Sequence, residues 1–203
     1  TSSISHTEVQ NTIRKIEQLV MNVLCLQGLA KKTHYNELWL EGPHDDTGIP
    51  VGKYYFMRSL SDMEETAADA FGLLLPSNPQ VYIPGGGNFH HGTYMALRYG
   101  AQVTGDDISE AALMRARADI REFEKKNPDL KGRVIVPDKP SAMMKNLESI
   151  AAWNKDHEQE PRKQKIFDGI FFFSCTHYQN QAELLKLLAL ACQCLSPEGI
   201  IGL

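Results

Sequence analysis

The sequence predicts an α/β fold in which helices cover both faces of a parallel β-sheet. Two patterns predict it. From Gln80 onward, short apolar strands alternate with helical segments, and this alternation builds right-handed βαβ units. Residues 166–173 are apolar at nearly every position, which is typical of a strand buried on both faces. The total of 203 residues suits one such domain.

The composition excludes several function classes. It is 42% hydrophobic and 23% charged with a net charge of -4, as in ordinary soluble proteins. Lys and Arg are scattered, so no nucleic-acid partner is expected. No apolar run reaches the roughly 18 residues of a membrane span, and no secretory signal is visible. The four cysteines have no metal-ligand or CxxC spacing, which favours reduced thiols in a cytoplasmic protein.

Residues 1–79 are predicted to form a helical cap or lid. Ser5 and Glu8 have capping-box spacing, and the apolar stripe that follows predicts a helix ending near Gly28. Residues 33–58 are rich in Gly, Pro and aromatic residues, which predicts a loop. A second capping box, Ser61 to Glu64, opens a helix over residues 62–75 that Pro76 ends.

Residues 80–203 are predicted to form the core. The predicted strands are 81–83, 101–104, 134–136, 166–173 and a fifth from 200, after a turn at 196–199. The predicted helices are 89–99, 109–127, 143–153 and 179–195. Parallel sheets of this kind bind ligands at the carboxyl ends of their strands. The loops after the first four strands are therefore the candidate ligand-binding segments.

Three consecutive glycines, residues 85–87, follow the first strand, and Asp107 stands about 20 residues further on, at the end of the second. Glycines let the backbone approach a ligand closely, and the helix N-terminus behind them favours an anionic group. A carboxylate at Asp107 can accept hydrogen bonds from both ribose hydroxyls of a nucleoside cofactor. The alternatives are a tight turn without ligand and a helix cap formed by Asp106, Asp107 and Ser109.

Four segments in order resemble a known family. Residues 81–87 are similar to motif I of the class I S-adenosylmethionine-dependent methyltransferases, and 101–109 to their second-strand motif, Gly-x-Asp-x-Ser. Residues 167–170 resemble the fourth-strand motif, and 195–199 the turn before strand five. The resemblance covers residues 80–203. It implies a Rossmann-like, doubly wound sheet of order 3-2-1-4-5, S-adenosylmethionine as cofactor, and methyl transfer to a small molecule.

The resemblance also implies which residues contact the cofactor. Gly85, Gly86, Gly87 and Asn88 would contact the methionine part, and Asp107 would bind the ribose. Ile108 and Asp138 would contact the adenine, and Ser174 would lie beside the reactive end. The loop around residues 41–55 resembles that of small-molecule methyltransferases of the sarcosine type, which implies that Tyr54 reaches the cofactor carboxylate.

Three residues are candidates for catalysis. His177 and Tyr178 follow strand four, where the resemblance implies an acceptor pocket, and His44 lies in the Gly/Pro loop. A histidine titrates near neutral pH and can take a proton from an acceptor O–H or N–H. A surface histidine is the equally open alternative. The adjacent His90 and His91 would point about 100° apart on a helix, so no metal site is expected.

Two departures from the family leave other functions open. Ile83 or Pro84 stands where motif I usually carries an acid, and the family normally continues through two antiparallel strands that this chain lacks. The edge of strand five then favours a homodimer or another partner chain. Both departures favour, as the alternative, a non-catalytic methyltransferase-like subunit that acts as a scaffold or activator. A nicotinamide-dependent oxidoreductase fits less well, because GxGxxG is missing.

Overall fold

The computed structural model of the chain describes residues 29–52, 60–172 and 180–203, with side chains from His34 onward. The predicted first helix, from Ser5 to Gly28, lies outside these residues. The described helices are α1 (Leu29–Leu40), α2 (Asp62–Gly72), α3 (His90–Tyr99), α4 (Glu110–Lys126), α5 (Met143–Asp156) and α6 (Gln181–Cys192). The strands are β1 (Gln80–Ile83), β2 (Gln102–Gly105), β3 (Val134–Ile135), β4 (Phe167–Phe171) and β5 (Leu195–Gly202).

The five strands form one parallel sheet in the order β3-β2-β1-β4-β5, which confirms the predicted fold class. From β1 the chain builds outward to β2 and β3, then returns to place β4 on the other side of β1. The direction of winding therefore reverses between β1 and β4. Ligands bind at the carboxyl edge of such a sheet, near this reversal.

The alternation of side chains along β1 assigns each helix to a face of the sheet. Val81 and Ile83 pack into a core shared with α2, α3 and α4, whereas Tyr82 packs into a second core with α5 and α6. Successive side chains of a strand point to opposite faces, so one short strand contributes to both cores. The sheet is thus covered on both faces, as the apolar strands predict.

The two ends of the described cap region differ in how well the sequence predicts them. The capping box of α2 is present: the Ser61 amide donates to the Glu64 carboxylate at 2.7 Å. The predicted loop at residues 33–58 is wrong in its first part, because α1 continues to Leu40. Glycine and proline, which weaken helices, begin only at Gly42. The proposed division of the chain at residue 79 stays a prediction.

The predicted start of the fifth strand at residue 200 is wrong, because β5 begins at Leu195 and the predicted turn at residues 196–199 lies inside it. The pairing with β4 passes from Phe167–Leu195 to Gly169–Ile200, so the segment 196–199 is skipped in the register. The backbone bulges there, and β5 resumes its pairing with β4 at Ile200. Among the described residues, no helix is long and apolar enough to cross a membrane.

Candidate functional site

The segment after β1 makes a tight bend that requires glycine. Gly85 and Gly87 have φ angles of 60° and 56°, in the left-handed region that side chains disfavour. The Phe89 amide donates to the Gly86 carbonyl at 2.8 Å, which closes the turn. A Cβ on Gly86 would lie 2.9 Å from the buried ring of Phe89. The glycines thus leave half-buried backbone without side chains at the carboxyl edge of the sheet, ahead of α3.

The end of β2 holds this bend through the amides of all three glycines. The Gly85 amide donates to a carboxylate oxygen of Asp106 at 2.9 Å, and the Gly86 amide to the Asp106 carbonyl at 2.8 Å. The Gly87 amide donates to a carboxylate oxygen of Asp107 at 2.8 Å. The bend and the two acids therefore form one hydrogen-bonded unit at the tips of adjacent parallel strands.

Asp107 faces the bend and also holds the backbone of Ser109, the residue whose side chain caps α4. Its second carboxylate oxygen accepts the Ser109 amide at 2.7 Å, and the Asp107 carbonyl accepts the Ser141 amide at 2.8 Å. Burial raises the pKa of the Asp107 carboxyl, while the Ser109 and Gly87 amides favour its ionised form. The cap of α4 is therefore Ser109 and not Asp107. A carboxylate has about four acceptor positions, and the Gly87 and Ser109 amides use two of those on Asp107.

Asp106 points to the other face of the sheet. The sequence predicted for it only a role in a helix cap. It is fully buried, and its carboxylate accepts hydrogen bonds from the Tyr82 hydroxyl and from Nδ2 of Asn146 at 3.1 Å. Burial raises the pKa of Asp106 to about 6. The only signal in the sequence is a second acid ahead of Asp107, and nothing there connects it to Tyr82 or Asn146.

Asn88, which continues the bend, is held by a chain of polar contacts. Its Nδ2 lies 3.0 Å from Nδ1 of His90, whose Nε2 lies 3.1 Å from a carboxylate oxygen of Asp119. Arg115 pairs with Asp119 and also with Asp45, which lies in the loop after α1. Its Nη1 is 2.6 Å from a carboxylate oxygen of Asp45. Both ring nitrogens of His90 are therefore engaged within the protein, which favours a structural role for this histidine.

Helix α1 covers the bend from the outside. A Cβ on Gly87 would lie 3.7 Å from Cζ2 of Trp39, a residue only 5% exposed. Oδ1 of Asn36 accepts the Ala111 amide at 2.9 Å and the Ser109 hydroxyl at 3.2 Å, which fastens α1 to the start of α4. Sequence reasoning missed both contributions because it assigned these residues to a loop.

The remaining predicted residues are spread around this centre. Ile108 is half-buried beside Asp107, whereas Asp138 and His44 are exposed. Of these two, Asp138 accepts Nη2 of Arg117 through its backbone carbonyl at 2.8 Å, and His44 pairs with Pro50 in a short antiparallel bridge. Tyr54, Ser174, His177 and Tyr178 lie outside the described residues, so their roles stay predictions.

No family model and no curated protein matches the chain, but solved structures do. The glycopeptide N-methyltransferase MtfA, complexed with S-adenosylhomocysteine, has a TM-score of 0.50 and 18% identity over 70% of this chain and 52% of its own. The [4+2]-cyclase SpnF has a TM-score of 0.50 and 17% identity over 70% and 45%. A methyltransferase from Geobacter sulfurreducens, complexed with S-adenosylhomocysteine, has a TM-score of 0.49 and 17% identity, over 70% of this chain and 47% of its own.

These likenesses, at identities below one fifth, concern the fold. The chain has the fold of the S-adenosylmethionine-dependent methyltransferases, as its four motifs predict. It spans about half the length of the solved structures that it matches. The same fold carries a protein described as a cyclase, so architecture alone does not define the reaction.

Proposed function

We propose that this chain binds S-adenosylmethionine at the glycine bend and takes part in methyl transfer to an N, O or C atom of a small molecule. One observation carries the proposal: the Asp107 carboxylate lies 2.8 Å from the Gly87 amide, at the tips of adjacent parallel strands. The bend and the carboxylate that the motifs single out are therefore neighbours in space. Solved structures of the same fold bind S-adenosylhomocysteine, the product of methyl transfer.

The residues at this edge suit the parts of such a cofactor. Asp107 keeps acceptor positions that two ribose hydroxyls can use, and half-buried Ile108 offers apolar surface to an adenine beside it. The bend presents backbone without side chains, and Asn88 extends it with a polar group. Trp39 covers Gly87, so a ligand in the bend would be shielded from water on that side.

The chemical demands on the protein are modest, because the cofactor supplies an activated methyl group. The chain then has to hold the acceptor in line with that methyl and exclude water. Asp107 and the bend would fix the nucleoside, and Trp39 would exclude solvent. His177, Tyr178 and His44 are the proposed groups that contact the acceptor or take its proton, in a pocket lined in part by the cap.

The alternative, a non-catalytic subunit with this fold, has an observation in its favour. Ile83 is one of the two residues, with Pro84, that can stand at the motif I position usually held by an acid, and it is buried among apolar residues of the core. In that register the acid is replaced by a core side chain. A scaffold or activator would need the fold without needing the cofactor, so cofactor binding separates the two functions.

Isothermal titration with S-adenosylmethionine and S-adenosylhomocysteine tests the proposal. We expect the unmodified chain to bind both, and Asp107→Asn to weaken both by about 100-fold, because the charged acceptor for the ribose hydroxyls is replaced by a neutral amide with a single acceptor oxygen. Asp129→Asn, at an exposed acid away from the bend, is the matched control and should bind normally. No binding at millimolar ligand would overturn the proposal and favour the scaffold.

A further inference from the structure

We propose that Asp106 supplies the negative charge of the cofactor site, placed behind the glycine bend, and that this charge favours the cationic S-adenosylmethionine over its neutral-sulfur product. The inference rests on the proposed function, since it concerns the same bend. It assigns to Asp106 a task that differs from the hydrogen-bonding role of Asp107.

The Asp106 carboxylate is a buried anion whose hydrogen-bond donors are all neutral. They are the Gly85 amide at 2.9 Å, Nδ2 of Asn146 at 3.1 Å and the Tyr82 hydroxyl. These donors stabilise the ionised form without cancelling its charge. In the protein interior an uncancelled charge acts over several ångströms with little screening by salt. Because it accepts the Gly85 amide, this carboxylate lies directly against the bend.

The side chains around Asp106 come from β1, from α5 and from the segment that follows β2. Tyr82 of β1 and Asn146 of α5 donate to it, and Asp107, which lies beyond β2, is the neighbouring titratable group, whose negative charge raises the pKa of Asp106 further. Cys194, which follows α6, acts on the Tyr82 hydroxyl and not directly on Asp106. Burial keeps the Tyr82 hydroxyl protonated, because it raises the pKa of that group far above its usual value. The charge of this cluster therefore resides on Asp106.

This arrangement places an acid near the bend although β1 offers none. Ile83 faces the apolar core, whereas Asp106 reaches the Gly85 amide from the adjacent strand. S-adenosylmethionine carries a sulfonium and an ammonium group, and methyl transfer removes the sulfonium charge. A fixed negative charge behind the bend should therefore stabilise the bound substrate more than the bound product. Adenosine, which carries neither cation, should be indifferent to it.

The test uses Asp106→Asn, which removes the charge and keeps the shape. The new amide oxygen can accept the Gly85 amide, and the Tyr82 hydroxyl and Asn146 amide can rotate to present acceptors. At pH 7.5 we expect the affinity for S-adenosylmethionine to fall about 10-fold, as for a charge several ångströms away. The affinity for S-adenosylhomocysteine should fall less, and that for adenosine should not change. Tyr82→Phe, which keeps the charge, should retain the substrate-to-product affinity ratio.

Equal losses for all three ligands would overturn the inference, because they would mean that Asp106 only shapes the bend. An unmodified chain that binds none of them would instead contradict the proposed function. If Asp106→Asn does not fold, the pH dependence of ligand binding by the unmodified chain still tests the inference. Since the pKa of Asp106 is about 6, the ratio of substrate to product affinity should fall between pH 7.5 and 5. A constant ratio would refute the charge effect.

Discussion

Asp106 and Asp107 are consecutive buried carboxylates that each accept an amide of the glycine bend but otherwise bind different parts of the molecule. Asp106 is completely inaccessible and lies in the core of the α5–α6 face, where it binds Tyr82 and Asn146. Asp107 is 9% exposed and lies at the open edge, where it binds Gly87 and Ser109. The pair teaches that residue type and position in a motif do not define a role. Successive side chains leave a strand in opposite directions, so their partners decide what they do.

The largest effect should come from separating the two strand tips that both acids join. A Cβ at Gly105 would lie 2.1 Å from the carbonyl oxygen of Ile83, a backbone atom that cannot move aside cheaply. We expect Gly105→Ala to lower the free energy of unfolding by about 4 kcal/mol or more and to abolish ligand binding. Gly132→Ala, where φ is 76° and the space is open, should cost only about 1 kcal/mol. Urea unfolding of both variants measures this; similar losses would contradict the close approach.

The next effect is on the pH dependence of the free energy of unfolding, to which Asp106 contributes. The pKa of Asp106 is raised to about 6, so its contribution to stability is lost as pH rises from about 4 to 6. Burial lowers the pKa of His91 to about 4, so its contribution is lost as pH falls from 6.5 to 4. The two opposing slopes should nearly cancel in the unmodified chain. In Asp106→Asn, the His91 slope remains, and the free energy of unfolding should rise by up to about 3 kcal/mol across this window.

Denaturant unfolding at several pH values checks this expectation. The unmodified chain and Asp106→Asn should differ in slope and not only in midpoint. His91→Phe is the complementary variant, since it should leave the Asp106 slope alone and lose stability as pH rises. Parallel pH profiles for the unmodified chain and Asp106→Asn would show that Asp106 titrates in the folded state as it does in the unfolded one.

The smallest effect concerns helix α1, which covers the glycine bend. Asn36→Ala removes the side chain that accepts the Ala111 amide and joins α1 to the start of α4. We expect a loss of about 1 kcal/mol in stability and a several-fold loss of affinity for S-adenosylmethionine. The control is Asn127→Ala at the opposite end of α4, where Nδ2 donates to the Phe123 carbonyl at 2.9 Å. Asn127→Ala should lower the free energy of unfolding by a similar amount without changing the affinity for S-adenosylmethionine. An equal loss of affinity would mean that the stability of α4, and not the position of α1, determines ligand binding.

The parts of the molecule that local sequence signals define were predictable. Alternating apolar strands, the capping box at Ser61 and the Gly100 end of α3 depend on neighbours within a few residues. The predicted start of the fifth strand at residue 200 failed because Leu195 already pairs with Phe167 of β4, ahead of the bulge at 196–199. The loop predicted from Thr33 is wrong up to Leu40, where the chain is helical. The glycines and prolines that suggested a loop all lie beyond Leu40 and do not affect the helix before it.

For the candidate site, sequence alone determined that a glycine bend and an acid follow adjacent strands, because strand ends and glycine runs are local features. Only the tertiary structure decided that Asp106 turns inward to Tyr82 and Asn146, 24 and 40 residues away, while Asp107 faces the bend. It also decided that Trp39 covers Gly87. Such contacts arise when sheet and helices pack together, and no spacing along the chain encodes which distant side chains will meet.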